Sequence, residues 1–300
     1  MERIRIAEAV KRGKLLVSDG AWGTELFLRG LKQGECPELM NLENPEAVYD
    51  VALNYVNAGA DMIKTNSFGG TRLNLEHYGL SGRAREINAE AAAISRRAAG
   101  GGVWVLGSVG PSGKLLFMQQ TTEAALYEAF AEQAAALEAG GADAVLIETM
   151  SDPAEACAAV RAAKENTRLE IICTFTFSKT RRGEYRTLMG TTPEDAVSAA
   201  IGAGADIVGA NCGNGIAGMV DIAAKIKAAA GALPVIIHSN AGLPEIADTG
   251  VVYRETPEYM ASFVRELANA GANIIGGCCG TTPAHIRAIR GAASVLEARG

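Results

Sequence analysis

One short pattern occurs four times in this 300-residue chain. In each copy a helical segment ends in a small-residue turn that contains glycine, and a run rich in β-branched residues follows at once. The copies are NAGADMIKTN (57–66), EAGGADAVLIET (138–149), GAGADIVGAN (202–211) and NAGANIIGG (269–277). Glycine at a helix C-terminus followed by a buried strand is typical of the αβ half of a βα unit. The repeat therefore predicts parallel strands that alternate with helices.

Four further apolar runs lie between these copies and complete a set of strands. They are LLVSD (15–19), VWVLGSV (103–109), EIICTFT (170–176) and PVIIHSN (234–240). Predicted helices separate the strands at 45–58, 83–98, 122–139, 153–165, 193–202, 217–229, 257–270 and 283–298. Several of these helices begin with proline, which the first turn favours. Eight alternating units without a charged linker predict an α/β fold, a single (β/α)8 TIM barrel domain over residues 1–300. An open doubly wound sheet is the alternative.

Composition excludes several classes of protein. The net charge is −6 with scattered basic residues, so no nucleic-acid-binding surface is expected. No apolar run is long enough for a membrane span, and the charged N-terminal segment MERIRIAEAVKRGK is not typical of a secretion signal. Six cysteines in such a chain favour a metal or catalytic role in a reducing cytoplasm over a disulfide framework. We expect a cytoplasmic protein.

Three cysteines follow strands that are near neighbours in the predicted barrel. Cys212 ends the sixth strand, and Cys278 and Cys279 end the eighth, so a single strand separates them. Active sites of such barrels lie at the C-terminal ends of the strands. Three thiols with a fourth position open are typical of catalytic zinc. The alternatives are a redox pair, which would leave Cys212 unexplained, and inert buried thiols.

The seventh strand lies between the two cysteine strands and ends in His238, Ser239 and Asn240. One of these side chains could occupy the fourth metal position when no substrate is bound. His238 is the commoner ligand type, but it falls inside the strand. Asn240 stands at the strand end and is better placed.

The remaining cysteines and histidines have no predicted role in the site. Cys157 and Cys173 fall within a helix and a strand and are expected in the core. Cys36 lies in a loop with no other cysteine or histidine close in sequence. We expect His77 and His285 to face solvent.

The first and fourth strands end in groups that suit a charged small molecule. The Gly20–Gly23 loop leaves backbone N–H groups free to approach an anion such as a carboxylate. Asp19 and Glu148 could bind a cationic ammonium group.

Four motifs in order now resemble a known family: DGAWGTEL (19–26), GADMIKTNSF (59–68), GANCGNG (209–215) and GGCCGTTPAHI (276–286). Together they are similar to the homocysteine S-methyltransferase family over essentially the whole chain. CPELMNLENPE (36–46) and CGTTP (279–283) look most like the homocysteine-binding barrel of cobalamin-dependent methionine synthase.

This resemblance implies a methyl transfer to the thiol of homocysteine, which gives methionine. It implies Zn²⁺ on Cys212, Cys278 and Cys279, with the Asn240 side chain in the zinc position that the substrate thiol later takes. It also implies that the amino-acid end of homocysteine is held by Asp19, Gly20, Ala21, Gly23, Thr24 and Glu148.

The sequence departs from the methionine synthase pattern in two ways. Lys64 stands where that barrel often has glutamate, and HSNAG (238–242) replaces a tyrosine–proline lead-in. Methionine synthase also continues into folate, cobalamin and activation modules, so we expect the methyl donor to be a methylcorrinoid, methylcobalamin, on a separate corrinoid protein. S-methylmethionine and betaine are alternative donors. Two further alternatives are a homocysteine- and zinc-binding module that is inactive without its partner, and a purely structural metal site.

Overall fold

The computed structural model describes residues 4–247 and 250–298. Its main sheet has eight parallel strands, β1 to β8. They are Leu16–Val17, Met62–Lys64, Trp104–Val109, Ala144–Met150, Glu170–Phe175, Ile207–Gly215, Val235–Asn240 and Ile274–Gly277. Each strand from β2 to β8 pairs with the next, and β8 pairs with β1. A bridge between Ser18 and Met62 joins β1 to β2, so the sheet forms a nearly closed barrel. The (β/α)8 prediction is confirmed, and the open-sheet alternative is wrong.

Eight outer helical segments, α1 to α8, follow the strands. They are Pro45–Asn57, Ala84–Ala99, Glu123–Ala139, Pro153–Asn166, Pro193–Ala203, Ile216–Ala230, Pro257–Ser262 with Val264–Asn269, and Pro283–Glu297. All lie within one residue of the predicted bounds, although α7 is interrupted at Phe263. Side chains such as Asn44 and Thr192 cap the first turns of α1 and α5. None of these helices, nor any other in the described residues, has the length and apolarity needed to cross a membrane.

The repeated glycine-bearing turn has a physical explanation in the structure. The turn contains an acidic or amide residue that directly precedes each even-numbered strand. These residues are Asp61, Asp143, Asp206 and Asn273. In every copy, the side-chain oxygen of this residue accepts a backbone N–H from the preceding odd-numbered strand, at 2.7 to 2.9 Å. Its own N–H donates to a carbonyl of the same strand residue, at 2.7 or 2.8 Å. The device clamps β1 to β2, β3 to β4, β5 to β6 and β7 to β8.

The barrel interior changes character from bottom to top. The lower layer is apolar and takes a side chain from every strand: Leu16, Met62, Leu106, Leu146, Ile172, Ile207, Ile236 and Ile274. The short N-terminal helix Ile6–Lys11 covers this layer from below, and the buried Glu170 carboxylate accepts the N–H groups of Ile6 and Ala7. Because strand side chains alternate between faces, residues two positions further along also point inward. These upper residues are polar or glycine, and the polar ones include Lys64, Ser108 and Glu148.

The loops at the top of the barrel fall into two groups. Those after β4, β6 and β8 are short, with α6 beginning directly after β6. The loops after β1, β2, β3, β5 and β7 are long. Two of the long loops contain small hairpins, Ser178–Lys179 with Tyr185–Arg186 and Glu245–Ala247 with Gly250–Val252.

The clamp can be tested at Asp206, whose carboxylate accepts the Ile171 N–H at 2.9 Å. We expect Asp206→Ala to lower the free energy of unfolding by roughly 1–3 kcal/mol, because a partly buried donor loses its acceptor. Asp206→Asn should cost less than about 1 kcal/mol, since it loses only a partly exposed ion pair with Lys164. Asn273 already performs the same task with an amide. Urea denaturation of the two variants decides the matter, and equal losses would contradict the clamp.

Candidate metal and substrate site

The structure brings together the three cysteines that the sequence places on one rim. Cys212 lies in the last part of β6, and Cys278 and Cys279 follow β8 directly. Their three Sγ atoms lie within 4.8 Å of one another, and Cys212 Sγ is 3.9 Å from Cys279 Sγ. Within the described residues, this is the one group of three histidine, cysteine or acidic side chains close enough to share a metal ion.

Two strands become irregular where they present the site. The pairing of β6 with β7 shifts within 211–215, and Cys212 has a φ of 61°. The pairing of β4 with β5 shifts within 147–150, and Thr149 has a φ of 64°. A positive φ is uncommon outside glycine and a true outlier for a β-branched residue such as threonine. Irregularities of this kind redirect side chains next to active sites.

Asn211 joins these two irregular segments and was missed by the sequence analysis. Its Oδ1 accepts the Thr149 N–H and the Thr174 hydroxyl, both at 2.7 Å. Its Nδ2 donates to Thr149 Oγ1 at 2.7 Å and lies 3.8 Å from Cys278 Sγ. Asn211 is fully buried, so this network fixes the orientation of the rim beneath the cysteines. In the sequence, the one indication of this role is that Asn211 directly precedes Cys212.

The three thiols do not titrate independently. Hydrogen bonds from Cys278 and Cys279, and further contacts with the Gly213 N–H and the Asn240 side chain, lower the pKa of Cys212 in spite of its burial. The hydrogen bond with Cys212 raises the pKa of Cys278 and of Cys279. The protonation of each thiol therefore depends on the charge of the other two. Such a set of sulfurs suits a soft metal cation.

Asn240, at the end of β7, lies against this cluster. Its side chain contacts the Cys212 thiol, it is 3% exposed, and its Oδ1 has no hydrogen-bond donor among the described residues. A buried oxygen without a partner is rare and costs free energy. His238 is different, because it points into the barrel opposite Gly276 and belongs to no metal-binding group in the described residues. Burial, and next the charge of Lys64, lower the pKa of His238, so its ring is neutral.

A cavity of 390 Å³ opens above the cysteines. The β1 loop, including Gly20, Ala21, Gly23 and Thr24, forms one side of it, while Trp22, Phe27, Phe68 and Tyr253 add aromatic walls. Lys64 and Glu148 line it together with the three cysteines. Most of the sequence-predicted site therefore surrounds one space.

Glu148 faces this cavity from the irregular end of β4. Its Oε1 accepts the Ser108 hydroxyl at 2.5 Å, and the residue is 5% exposed. Burial raises the pKa of Glu148, while Lys64 and the Ser108 hydrogen bond act in the opposite direction. A carboxylate in this setting, with its second oxygen free of donors in the described part of the chain, suits a cationic group.

Asp19 does not line the cavity, although the sequence placed it with Glu148. Its side chain is fully buried, and its Oδ2 accepts Trp22 Nε1 at 2.7 Å and the Lys64 N–H at 2.8 Å. Its Oδ1 forms an ion pair with Lys64 Nζ at 3.2 Å. The protein's own donors therefore occupy this carboxylate, and Lys64 stands between it and the cavity.

Hydrogen bonds connect the β1 loop to the turn that contains Cys278 and Cys279. The Ala21 N–H donates to Thr281 Oγ1 at 3.1 Å, and that hydroxyl donates to the Cys278 carbonyl at 2.7 Å. Tyr55 donates to the Ala21 carbonyl at 2.6 Å. A Cβ on Gly20 would lie 2.6 Å from Thr281 Oγ1, so the close approach requires glycine. The Ala21 N–H is thus used within the protein, whereas Gly23 and Thr24 begin the short helix Gly23–Phe27.

Tyr253 is a second residue that the sequence analysis missed. It lies in the β7–α7 loop and packs on Gly280, where a Cβ would be 2.1 Å from the ring. Burial, followed by the charge and hydrogen bond of Cys279, raises the pKa of Tyr253 to about 12. The hydroxyl is therefore a protonated donor to Cys279 at neutral pH. Nothing in the local sequence distinguishes this tyrosine.

Of the two histidines expected at the surface, one is buried. His77 is exposed as predicted. His285 is 7% exposed, and its Nδ1 accepts the Thr282 N–H at 3.1 Å, which caps α8. Its Nε2 lies 2.9 Å from the Glu255 carbonyl. The prediction was wrong because it missed the capping box that follows the double cysteine.

The other three cysteines lie apart from the cluster, as predicted. Cys173 is fully buried in β5, and Cys157 donates to the Ala199 carbonyl at 3.4 Å between two helices. Burial, together with nearby Glu38, raises the pKa of Cys36 to about 12, so this thiol is protonated.

The family model for homocysteine S-methyltransferase matches residues 16–293, which span the barrel from its first strand into α8. The chain belongs to this family. It is 34% identical to a methionine synthase of Mycobacterium tuberculosis over 95% of its own length, and 32% identical to that of Mycobacterium leprae over 93%. It spans about a quarter of the length of these two relatives, 25% and 24%.

A solved structure is also similar over its full length. The metallated form of the homocysteine methyltransferase MmuM from Escherichia coli is 26% identical, with a TM-score of 0.78. The match covers 98% of this chain and 99% of that one. Family membership thus agrees with the resemblance seen in the motifs.

The cysteine cluster gives a direct prediction about metal content. We expect Cys212→Ser, Cys278→Ser and Cys279→Ser each to reduce bound zinc far below about one ion per chain, because a hydroxyl is a poor replacement for a thiolate ligand. Cys157→Ser, outside the cluster, is the matched control and should retain the metal. Elemental analysis of the purified proteins measures this. Full zinc in Cys212→Ser would show that the cluster is not the metal site.

Proposed function

We propose that residues 1–300 form a homocysteine-binding barrel that catalyses methyl transfer to the sulfur of homocysteine and yields methionine. The observation that carries this proposal is the cluster of three thiols at the base of a cavity that also presents Glu148. The cluster offers a place for the substrate sulfur, and Glu148 offers a place for its ammonium group. Membership of the homocysteine S-methyltransferase family supports the same assignment.

We propose zinc as the resident metal, held by Cys212, Cys278 and Cys279. The donor set fits, since sulfur ligands suit zinc and the unpartnered Asn240 Oδ1 is a candidate for a fourth ligand. When bound, zinc supplies a positive charge that keeps a coordinated thiol deprotonated and therefore nucleophilic at neutral pH. A reducing cytoplasm, our proposed location, would keep these thiols available.

The chain's own residues would position the substrate. Glu148 binds the ammonium group, and the β1 loop lies along the same cavity with the first-turn N–H groups of Gly23 and Thr24. Trp22 and Phe68 give this cavity apolar walls. Fixing the sulfur relative to an incoming methyl group contributes several kcal/mol to catalysis in well-oriented systems.

The exposed hydrophobic residues around the cavity give information about the kind of methyl donor. Most of the large hydrophobic side chains that are exposed in the described residues lie on the long loops at the top of the barrel. This apolar rim consists of Phe27, Leu28, Phe68, Tyr78, Leu115, Phe117, Met118, Leu188, Met189, Leu243, Ile246 and Val251. Large exposed apolar patches mark surfaces that bind other proteins or ligands.

A small donor needs only the cavity, but most of the rim lies outside it. Leu188 is 87% exposed and Ile246 is 94% exposed, and neither lines the cavity. The rim therefore favours a donor carried on a protein surface, and we propose methylcobalamin on a separate corrinoid protein. S-methylmethionine and betaine remain the alternative donors, and a binding module that is inactive alone remains the alternative function.

A panel of methyl donors with homocysteine as acceptor tests the proposal. Methylated corrinoid protein, free methylcobalamin, S-methylmethionine and betaine are each incubated with the zinc-loaded protein, and methionine is measured by mass spectrometry. We expect the fastest turnover with the corrinoid protein. Faster turnover with S-methylmethionine or betaine would contradict the proposed donor. Homocysteine binding without methionine from any donor would instead indicate the binding module. Cys212→Ser serves as the inactive control.

The rim itself can be tested separately from the chemistry. We expect Leu188→Ser and Ile246→Ser each to raise the KM for the corrinoid protein roughly tenfold, as loss of a well-placed apolar interface contact does. Turnover with free methylcobalamin should not change, because neither side chain lines the cavity. Val295→Ser, an equally apolar exposed site on α8, is the control. Identical behaviour of the rim and control variants would remove the case for docking there.

Glu148 provides a test of substrate binding. We expect Glu148→Gln to weaken homocysteine binding about tenfold to a hundredfold, since a hydrogen bond to a charged group contributes roughly 1.5–3 kcal/mol. Zinc content should remain unchanged, because Glu148 is not part of the thiol cluster. Calorimetry with homocysteine and metal analysis give the two readouts. A variant that loses zinc but binds homocysteine normally per zinc would place Glu148 in support of the metal.

A further inference from the structure

Lys64 carries the single positive charge among the described residues that line the cavity. It ends β2, is 5% exposed, and points into the upper barrel interior. Its ammonium lies 3.2 Å from Asp19 Oδ1 and donates to the Gly277 carbonyl at 3.5 Å. Burying an ammonium group is costly unless it is paired, and Asp19 provides that pair.

The ammonium group is not fully used by these contacts. A lysine has three N–H donors, and two of them have acceptors within the described part of the chain. Glu148 forms no ion pair with Lys64 there, although both residues line the same cavity. Burial lowers the pKa of Lys64, but the charges of Asp19, Glu148 and Cys278 outweigh this effect and raise it. The group therefore remains a cation at neutral pH with one donor available.

We propose that Lys64 determines substrate specificity by binding the α-carboxylate of the thiol substrate, while Glu148 binds its α-ammonium. This inference rests on the proposed function and adds a charged anchor to it. The two side chains present opposite charges to one cavity, which matches the zwitterion of an amino acid. The β1 loop alone supplies only neutral donors, and its Ala21 N–H is already bound by Thr281. Asp19 acts as the positioning residue that holds Lys64 in place.

Two analogues of homocysteine separate the charges. 3-Aminopropane-1-thiol has the ammonium but no carboxylate, and 4-sulfanylbutanoate has the carboxylate but no ammonium. Binding of all three thiols to the zinc-loaded protein is measured by calorimetry and normalised to zinc content. We expect Lys64→Met to weaken homocysteine and 4-sulfanylbutanoate about tenfold to a hundredfold. The same variant should bind 3-aminopropane-1-thiol within about twofold of wild type.

Glu148→Gln supplies the reciprocal arm of the experiment. It should weaken homocysteine and 3-aminopropane-1-thiol and leave 4-sulfanylbutanoate unchanged. Lys64→Met leaves Asp19 buried without its cation, so the double variant Asp19→Asn/Lys64→Met is measured as well. It removes both buried charges and should show the same selectivity as Lys64→Met, whereas Lys64→Arg should retain preference for the carboxylate.

The outcomes distinguish this inference from the proposed function. Equal weakening of all three thiols in Lys64→Met and in the double variant would overturn the carboxylate role and leave a general effect of charge. Unchanged binding of all three would overturn it too. If zinc-loaded wild type binds neither homocysteine nor the two analogues, the proposed function fails first. If it binds homocysteine no better than either analogue, zwitterion recognition fails while methyl transfer to thiols stands.

Discussion

The fold depends on how adjacent strands are held together at the bottom of the barrel. Four residues at equivalent positions each form two hydrogen bonds with the neighbouring strand, one through a side-chain oxygen and one through the backbone N–H. They are Asp61, Asp143, Asp206 and Asn273. β1 has only two residues in the sheet, so the Asp61 hydrogen bonds supply much of the contact between β1 and β2. Arg290 of α8 in turn pairs with Asp61 at that point. These bonds fix the relative position of the two strands in each of the four pairs that they join.

Since all eight strands run in one direction, their irregular ends meet on one rim. The strands that lead into the three short connections carry the chemistry: Glu148 and Thr149 lie at the end of β4, Cys212 lies in the last part of β6, and the cysteine pair directly follows β8. Short connections leave little freedom, and the Asn211 network reduces it further. The long connections provide the walls and the exposed apolar rim. The short connections therefore hold the metal and substrate residues in fixed positions, while the long loops form the entrance to the cavity.

The site concentrates acidic groups in a buried space. Three thiols, Glu148 and Asp19 lie near the Lys64 ammonium, the one cation that lines the cavity in the described part of the chain. Such an arrangement is stable as a set of anions only if further positive charge enters, and a metal cation and a substrate ammonium are the groups that our proposal supplies. The neutral His238 and the protonated Tyr253 add no charge to it. Electrostatics thus connects the metal, the substrate and the buried ion pair.

Patterns that are local in sequence determined the strands, the helices and the candidate metal ligands. The glycine-bearing repeat predicted the βα units because helix ends and buried strands depend on neighbouring residues, and the rule that strand ends share a rim brought Cys212 to Cys278 and Cys279. Other features required the tertiary structure, because they arise from contacts between distant segments. Asn211 bonds to Thr149 across 62 positions, and Tyr253 packs on Gly280 from a different loop. Asp19 is predicted from the sequence to bind substrate, and its contacts with Lys64, 45 positions away, become visible only in the structure. A sequence shows which charges a chain contains, but only packing decides which of them neutralise one another and which remain free for a ligand.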